Sequence, residues 1–215
     1  HVEAYAQMAA VIVEQIDAVQ FARRFGKSKK LTDDNMRRLI SDLGKWVLRA
    51  PLTEQEVALY RGISTTVVSA GGDFAEAVEM ILEAMLQSPR FLYRIENQLG
   101  DGTRWPVNDY ELASRISFIV CGSAPDDILL KAAESGQLSD PAELRQQVER
   151  LLASSKARNQ SEQFIIQWLN LDRLGNMRPD RKRFSDWQDS LADDMRQETI
   201  DFFMELEFFP TMGWP

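Results

Sequence analysis

Two side chains that carry much of protein chemistry are nearly missing from these 215 residues: there is one cysteine, Cys121, and one histidine, His1. A single cysteine excludes an internal disulfide, covalent haem attachment through C-x-x-C-H, and any multi-cysteine metal centre. A single histidine at the first position all but excludes histidine-based triads and histidine metal clusters within the chain. Long apolar runs are missing too. The best, MAAVIVEQI, is interrupted by Glu14 and falls far short of the roughly 18 residues a membrane span requires. Excess positive charge is also missing: 25 basic residues face 33 acidic ones, a net charge of -8. Nucleic-acid binding needs a basic footprint that releases counterions, so no nucleic-acid partner is expected. The sequence does not start with Met, shows no signal peptide and closes on the apolar FFPTMGWP; a longer natural chain is expected.

What is present is a hydrophobic content of 44%, enough for a core, arranged almost entirely at helical spacing. Tyr5, Ala9, Ile12, Ile16 and Val19 predict one helix over 2–25 that stops at Gly26. The RRFGKSKK stretch around that stop suits the carbonyl end of a helix dipole, or a docking patch for an acidic partner. Thr32 is read as the next cap, with Leu31 stapled to Met36 and a stripe of Met36, Leu39, Ile40, Leu43 and Val47 ending at Ala50-Pro51. Thr53 with Glu56, and Asp73 with Glu76, each spell a capping box before an apolar stripe, separated by the Gly71-Gly72 break. The second of these helices stops at Ser88-Pro89.

After the GDGTRWP loop the same grammar repeats. Asn108 with Glu111 opens a helix with Leu112, Ile116 and Ile119 facing inward and Gly122 as its end. Ser123 caps the next, Asp140-Pro141 the one after, and a further helix carries Phe164, Trp168 and Leu171. A basic loop spans 175–183, and Ser185 with Gln188 opens the last helix, whose stripe is Leu191, Met195, Phe202, Phe203 and Leu206. About nine helices and no strand emerge. The expected fold is all-α, a two-part helical array of residues 1–87 and 88–215 divided near residue 88 or 100.

Three phrases carry a resemblance: SPRFLYRIE (88–96), DYELASRISFIVCGSAPDDILLKAAESGQLSD (109–140) and FIIQWLNLDRL (164–174). With the DMRQET and FF segments of the last helix, they resemble a helical domain family of unknown function found in large secreted or periplasmic proteins of the planctomycete type. KWVLRAPLTEQEV (45–57) resembles the smaller helical domain that precedes it. The likeness covers 88–205 well and 20–87 weakly. It implies a periplasmic or secreted location and association with a c-type cytochrome domain, in the parent chain or a partner, so that any haem c lies outside this chain. It supplies no catalytic residue to carry over. Cys121 stands where the family's wording has tryptophan.

Candidate chemistry is sparse. Asp126 and Asp127 at a helix start suit acid–base work or ion binding, and equally a helix dipole. Glu198, Asp201 and Glu205 share a helix face at metal-bridging spacing but have no histidines to join them; a solvated face is the plainer account. Arg94, Glu96, Arg115 and Arg158 lie in apolar phrases and predict buried or half-buried interhelical ion pairs. Cys121, without a histidine partner, reads as a small buried hydrophobe. Of five tryptophans, Trp46 and Trp168 look like core, while Trp105 in its loop is either a sugar-stacking platform or a loop anchor. The expected function is a non-catalytic scaffold or interaction module of an assembly that includes a c-type haem protein. The alternative is a carbohydrate-active enzyme or polysaccharide-binding module built on Trp105, Asp126 and Glu198. No cofactor is expected within the chain.

Overall fold

The computed structural model describes residues 2–96, 107–180 and 182–208. Among them every regular element is helical: α1 (Val2–Glu14), α2 (Ala18–Ala22), α3 (Asp33–Val47), α4 (Glu54–Ser69), α5 (Phe74–Leu86), α6 (Pro89–Leu92), α7 (Asp109–Cys121), α8 (Asp127–Glu134), α9 (Pro141–Leu152), α10 (Ser155–Trp168) and α11 (Asp189–Phe208), with short 3-10 turns at Gln137–Ser139 and Leu171–Asn176. The all-α expectation holds, and nine of these helices reach eight residues or more.

The chain divides into two compact units that are discontinuous in sequence. One comprises residues 1–115 and 125–139, the other 116–124 and 140–215. In the first, α5 is central, and α1, α2, α3, α4 and α6 all pack on it. Its stripe Phe74, Val78, Ile81, Leu82 and Met85 is buried, as is the α3 stripe Met36, Leu39, Ile40, Leu43 and Val47. Burying one such side chain stabilises by about 1.5–3 kcal/mol. Gly44 sits mid-helix in α3 despite its unfavourable propensity because Leu52 packs directly on it, in the space a Cβ would need. Trp46 packs against the same core, edge-on to Phe21 at 5.8 Å and near Phe25 at 5.9 Å. Arg24 of the basic stretch lies over the Trp46 ring at 5.0 Å, so at least this cation serves the fold.

Helix starts follow local chemistry. Thr53 and Glu56 form a reciprocal capping box, as do Asp73 and Glu76. Asn108 and Glu111 do the same: the Asn108 N–H donates to the Glu111 carboxylate and the Glu111 N–H to the Asn108 Oδ1, both at 2.9 Å. Three starts differ from expectation. The predicted 2–25 helix is two helices, because Asp17 turns extended and accepts from the Gln20 N–H to begin α2. Asp126, not Ser123, caps α8. The last helix begins at Asp189 rather than at Ser185.

In the second unit α10 packs on α9 and on α11, and the turn at 171–176 packs on both α10 and α11. The core there is Ile165, Ile166, Leu171, Ile200 and Met204. Expected inward residues are outside: Trp168 is 66% exposed, and Phe164, Leu191, Met195, Phe202 and Leu206 are exposed as well. The buried line of α11 is Ala192, Ile200 and Met204 instead. In α7, Ile119 points to solvent while Ala113, Ser117 and Cys121 are buried. Gly122 then ends α7 at φ +60, a left-handed conformation that suits glycine at a helix end.

Candidate functional site

The first unit contains a cavity of about 700 Å³, lined among others by Leu48, Arg49, Pro51, Glu56, Arg90, Arg94, Ile95, Glu96, Tyr110, Glu111 and Arg115. Its frame is a pair of arginines that hold each other's backbone. Arg49 follows α3 in a left-handed conformation, φ +64, which aims its side chain at α6. It is 6% exposed. Its guanidinium donates to the carbonyls of Arg90, Phe91 (3.2 Å) and Tyr93 (3.1 Å), the acceptors that the end of α6 leaves over. Arg90, in α6, reaches the other way, donating to the carbonyls of Ala50 (3.3 Å) and Pro51 (3.2 Å) and to Glu56 Oε1 at 2.7 Å.

Glu56 therefore works twice, as capping-box acid of α4 and as partner of Arg90. Burial raises its carboxyl pKa, but the hydrogen bonds from Arg90 and Thr53 outweigh burial and hold it below the usual 4.5. On the opposite wall Arg115 forks onto Glu96, Nε to Oε1 at 3.0 Å and Nη2 to Oε2 at 2.6 Å. That pairing lowers the Glu96 pKa and raises that of Arg115. Arg115 and Glu96 do pair, but Glu96 lies in the non-helical segment after α6, so the pair is not interhelical as expected, and both side chains remain well exposed, 44% and 36%, so solvent screens it. Arg94 and Arg158 are exposed rather than buried. Burial, then the charges of Arg90 and Arg94, push the Arg49 pKa down.

The residues singled out from sequence fall elsewhere. Asp126 accepts the Leu129 N–H at 2.9 Å as the cap of α8, and Asp127 lies in the first turn, 3.9 Å from Arg24. Both do what a helix start needs. Glu198 lies exposed on α11, and Asp201 of that helix accepts from Gln197 at 2.8 Å. Asp126 and Glu198 belong to different compact units. Trp105 lies outside the described residues. Among the described residues no group of three or more His, Cys, Asp or Glu is placed to hold a metal ion. Cys121 is buried, its Sγ 3.8 Å from Ser154 Oγ. With one buried cysteine and no C-x-x-C-H, these residues do not fit a covalently held haem.

Arg49 and Arg90 were not candidates in the sequence. The signal that could have found them is weak: LRAP and SPRF each set an arginine beside a proline-marked turn, where helix-end carbonyls need donors.

The second unit offers an exposed aromatic surface. Phe164 and Trp168, one turn apart on α10, stack at 5.7 Å, and Phe203 of α11 comes within 6.5 Å of Phe164.

Comparison with known families divides the chain in two. Residues 107–209 match the family described as PSD4, protein of unknown function (DUF1592). Residues 35–96 match PSD5, protein of unknown function (DUF1595). The second match covers α3 to α6 and hence both arginines of the clasp; the first runs from the start of α7 into α11. No curated protein and no solved structure matches the chain. Among the described residues no helix is long and apolar enough to cross a membrane.

Proposed function

We propose that the chain is a non-catalytic helical interaction module of a secreted or periplasmic assembly that includes a c-type haem protein. The observation that carries the docking role is the aromatic surface of α10 and α11. Phe164 and Trp168 sit on helices that already have a core through Ile165, Ile166, Ile200 and Met204, and they stay outside it. Exposed tryptophan and phenylalanine in contact with each other are the side chains that dominate protein interfaces. The clefts's charged groups support the non-catalytic part: Arg49, Arg90 and Glu56 hold backbone and one another. The haem-protein partner and the location rest on the resemblance of SPRFLYRIE, DYELASRIS and FIIQWLNLDRL to planctomycete-type proteins that carry cytochrome-c-like domains. Haem c, on this reading, is bound by the partner or by another part of the parent polypeptide.

The test is the native size of the protein expressed at its own level in its source, wild type against Trp168→Asp. The proposal expects the wild type in a haem-containing complex and the variant released from it with its helical circular dichroism intact. A wild type that runs at its own mass, free of haem, would overturn it.

A further inference from the structure

We infer that the segment leaving α10, residues 169–183, is the docking site for an acidic stretch of a protein partner, one that sets an apolar side chain among carboxylates. This deepens the docking role proposed above, on which it rests, by naming the chemistry of the partner.

The site is built by the way the chain leaves α10. Asn170 takes a left-handed conformation, φ +52, which asparagine tolerates and which ends the helix. The 3-10 turn Leu171–Asn176 follows and packs back on α10 and α11. Leu171 is buried there and Leu174 packs against the core of this unit. Leu169 and Met177, on either side of the turn, stay exposed. Both line an open recess of about 560 Å³, together with Leu171, Leu174, Arg173 and Asn176 among others. Trp168, at the end of the exposed aromatic surface, directly precedes Leu169.

Charge distinguishes this place from the rest of the chain. Residues 173–183 hold five basic side chains against one acid, in a chain whose net charge is -8. The described cations among them, Arg173, Arg178, Lys182 and Arg183, are all exposed. Asp172, the acid just before them, lies 3.7 Å from Arg196 of α11. Arg178 donates to the carbonyls of Gly175 at 3.3 Å and Met177 at 2.8 Å; these acceptors are neutral, so they shape the loop and leave its charge uncompensated. Among the described residues no ion pair or hydrogen bond engages the side chains of Arg173, Lys182 or Arg183. A cationic patch on an otherwise acidic chain steers an acidic partner to one face.

Recess and charge together select the kind of partner. A nucleic acid or an anionic bilayer presents extended negative charge, which the acid excess of the remaining chain repels. A short acidic stretch of protein meets the patch alone. It can seat an apolar side chain against Leu174 and Met177 and lay carboxylates on Arg173 and the cations that follow it.

The experiment is calorimetric titration of the protein with a synthetic peptide of glutamates around a central leucine. Its glutamine counterpart and phosphatidylglycerol vesicles are titrated in parallel. The expected result is saturable binding of the glutamate peptide alone. Its affinity falls about ten-fold or more in Arg173→Glu, and in Lys182→Glu combined with Arg183→Glu. Met177→Asp weakens it as well, and helical circular dichroism is unchanged because all of these positions are exposed. Absent binding, equal binding of the glutamine peptide, or unchanged affinity in both charge variants would overturn the inference. Binding of the vesicles that is lost in the same variants would assign the patch to a lipid surface and overturn it too. No native partner and no haem enter this titration, so its failure is read separately from a failure to find the haem-containing complex.

Discussion

Arg49 and Arg90 each donate to the main chain of the other's segment: Arg49 to the carbonyl of Arg90 itself and its neighbours, Arg90 to the carbonyls of Ala50 and Pro51. The turn after α3 and the short helix α6 are thereby locked together, although α6 alone, at four residues, is far too short to hold its shape. Removing Arg49, itself 6% exposed, takes the donor from three carbonyls. Arg49→Ala is expected to destabilise the fold by about 3 kcal/mol and Arg90→Ala by about 1–2 kcal/mol, with the double variant falling short of the sum because both hold the same junction. Urea unfolding of the three variants checks this; strict additivity would mean that the two arginines act independently.

The helix caps give a graded prediction. Thr53→Ala and Asp73→Ala each break a reciprocal box and are expected to cost about 1 kcal/mol. Thr32 occupies the same position before α3 but makes no side-chain cap hydrogen bond. Thr32→Ala is expected to change stability by less than about 0.5 kcal/mol. Denaturant midpoints measured side by side decide it, and equal losses at Thr32 and Thr53 would contradict the assigned caps.

The legibility of the sequence differed between the two units for the same reason that their surfaces differ. In the first unit Thr53/Glu56 and Asp73/Glu76 announced their helices, and the stripes of α3 and α5 are the buried faces. The large apolar side chains of α3 and α5 point where helical spacing puts them, because α5 is surrounded; those of α1 do not, since Tyr5 and Ile12 of the expected stripe are exposed. In the second unit Trp168, Phe164 and Phe202 looked like core and are exposed, while the buried positions there include Ser117 of α7 and Ala192 of α11. Periodicity weighs a side chain by its hydrophobicity, and small residues at a close helix contact carry little of that signal. The clasp was hidden for another reason. Its acceptors are backbone carbonyls, which every residue has, and its geometry depends on a left-handed Arg49 that no neighbouring residue foretells.

Trp168 and Ile165 lie three residues apart on α10 and should respond oppositely. Ile165 is 2% exposed and belongs to the core; Ile165→Ala is expected to cost about 2–4 kcal/mol. Trp168→Ser removes a larger side chain, yet is expected to cost under about 1 kcal/mol, because most of that ring is already in water. Thermal unfolding of both variants provides the comparison. A Trp168 variant as unstable as the Ile165 variant would place the indole in a core.

Acid should loosen the first unit. The pKa of Glu56 and of Glu96 is depressed in the folded chain, so each contributes stability that is present above the unfolded value near 4.5 and is lost as pH falls through the folded value. Stability is therefore expected to be flat from about pH 7 to 5 and to decline below about 4.5, and Glu56→Gln should flatten part of that decline. Urea midpoints across pH 3–7 test the sign. A Glu56→Gln variant with an unchanged acid slope would show that Arg90 does not bias the carboxylate.

The measurement closest to the central claim is a visible absorption spectrum of the protein gently purified, untagged, from its source. This chain has one cysteine and cannot attach haem by C-x-x-C-H itself, so the Soret band of a covalently held haem c comes from a partner or from further polypeptide. A Soret band in stoichiometric amount is the predicted result. A featureless spectrum at the same concentration would contradict membership of a haem-protein assembly.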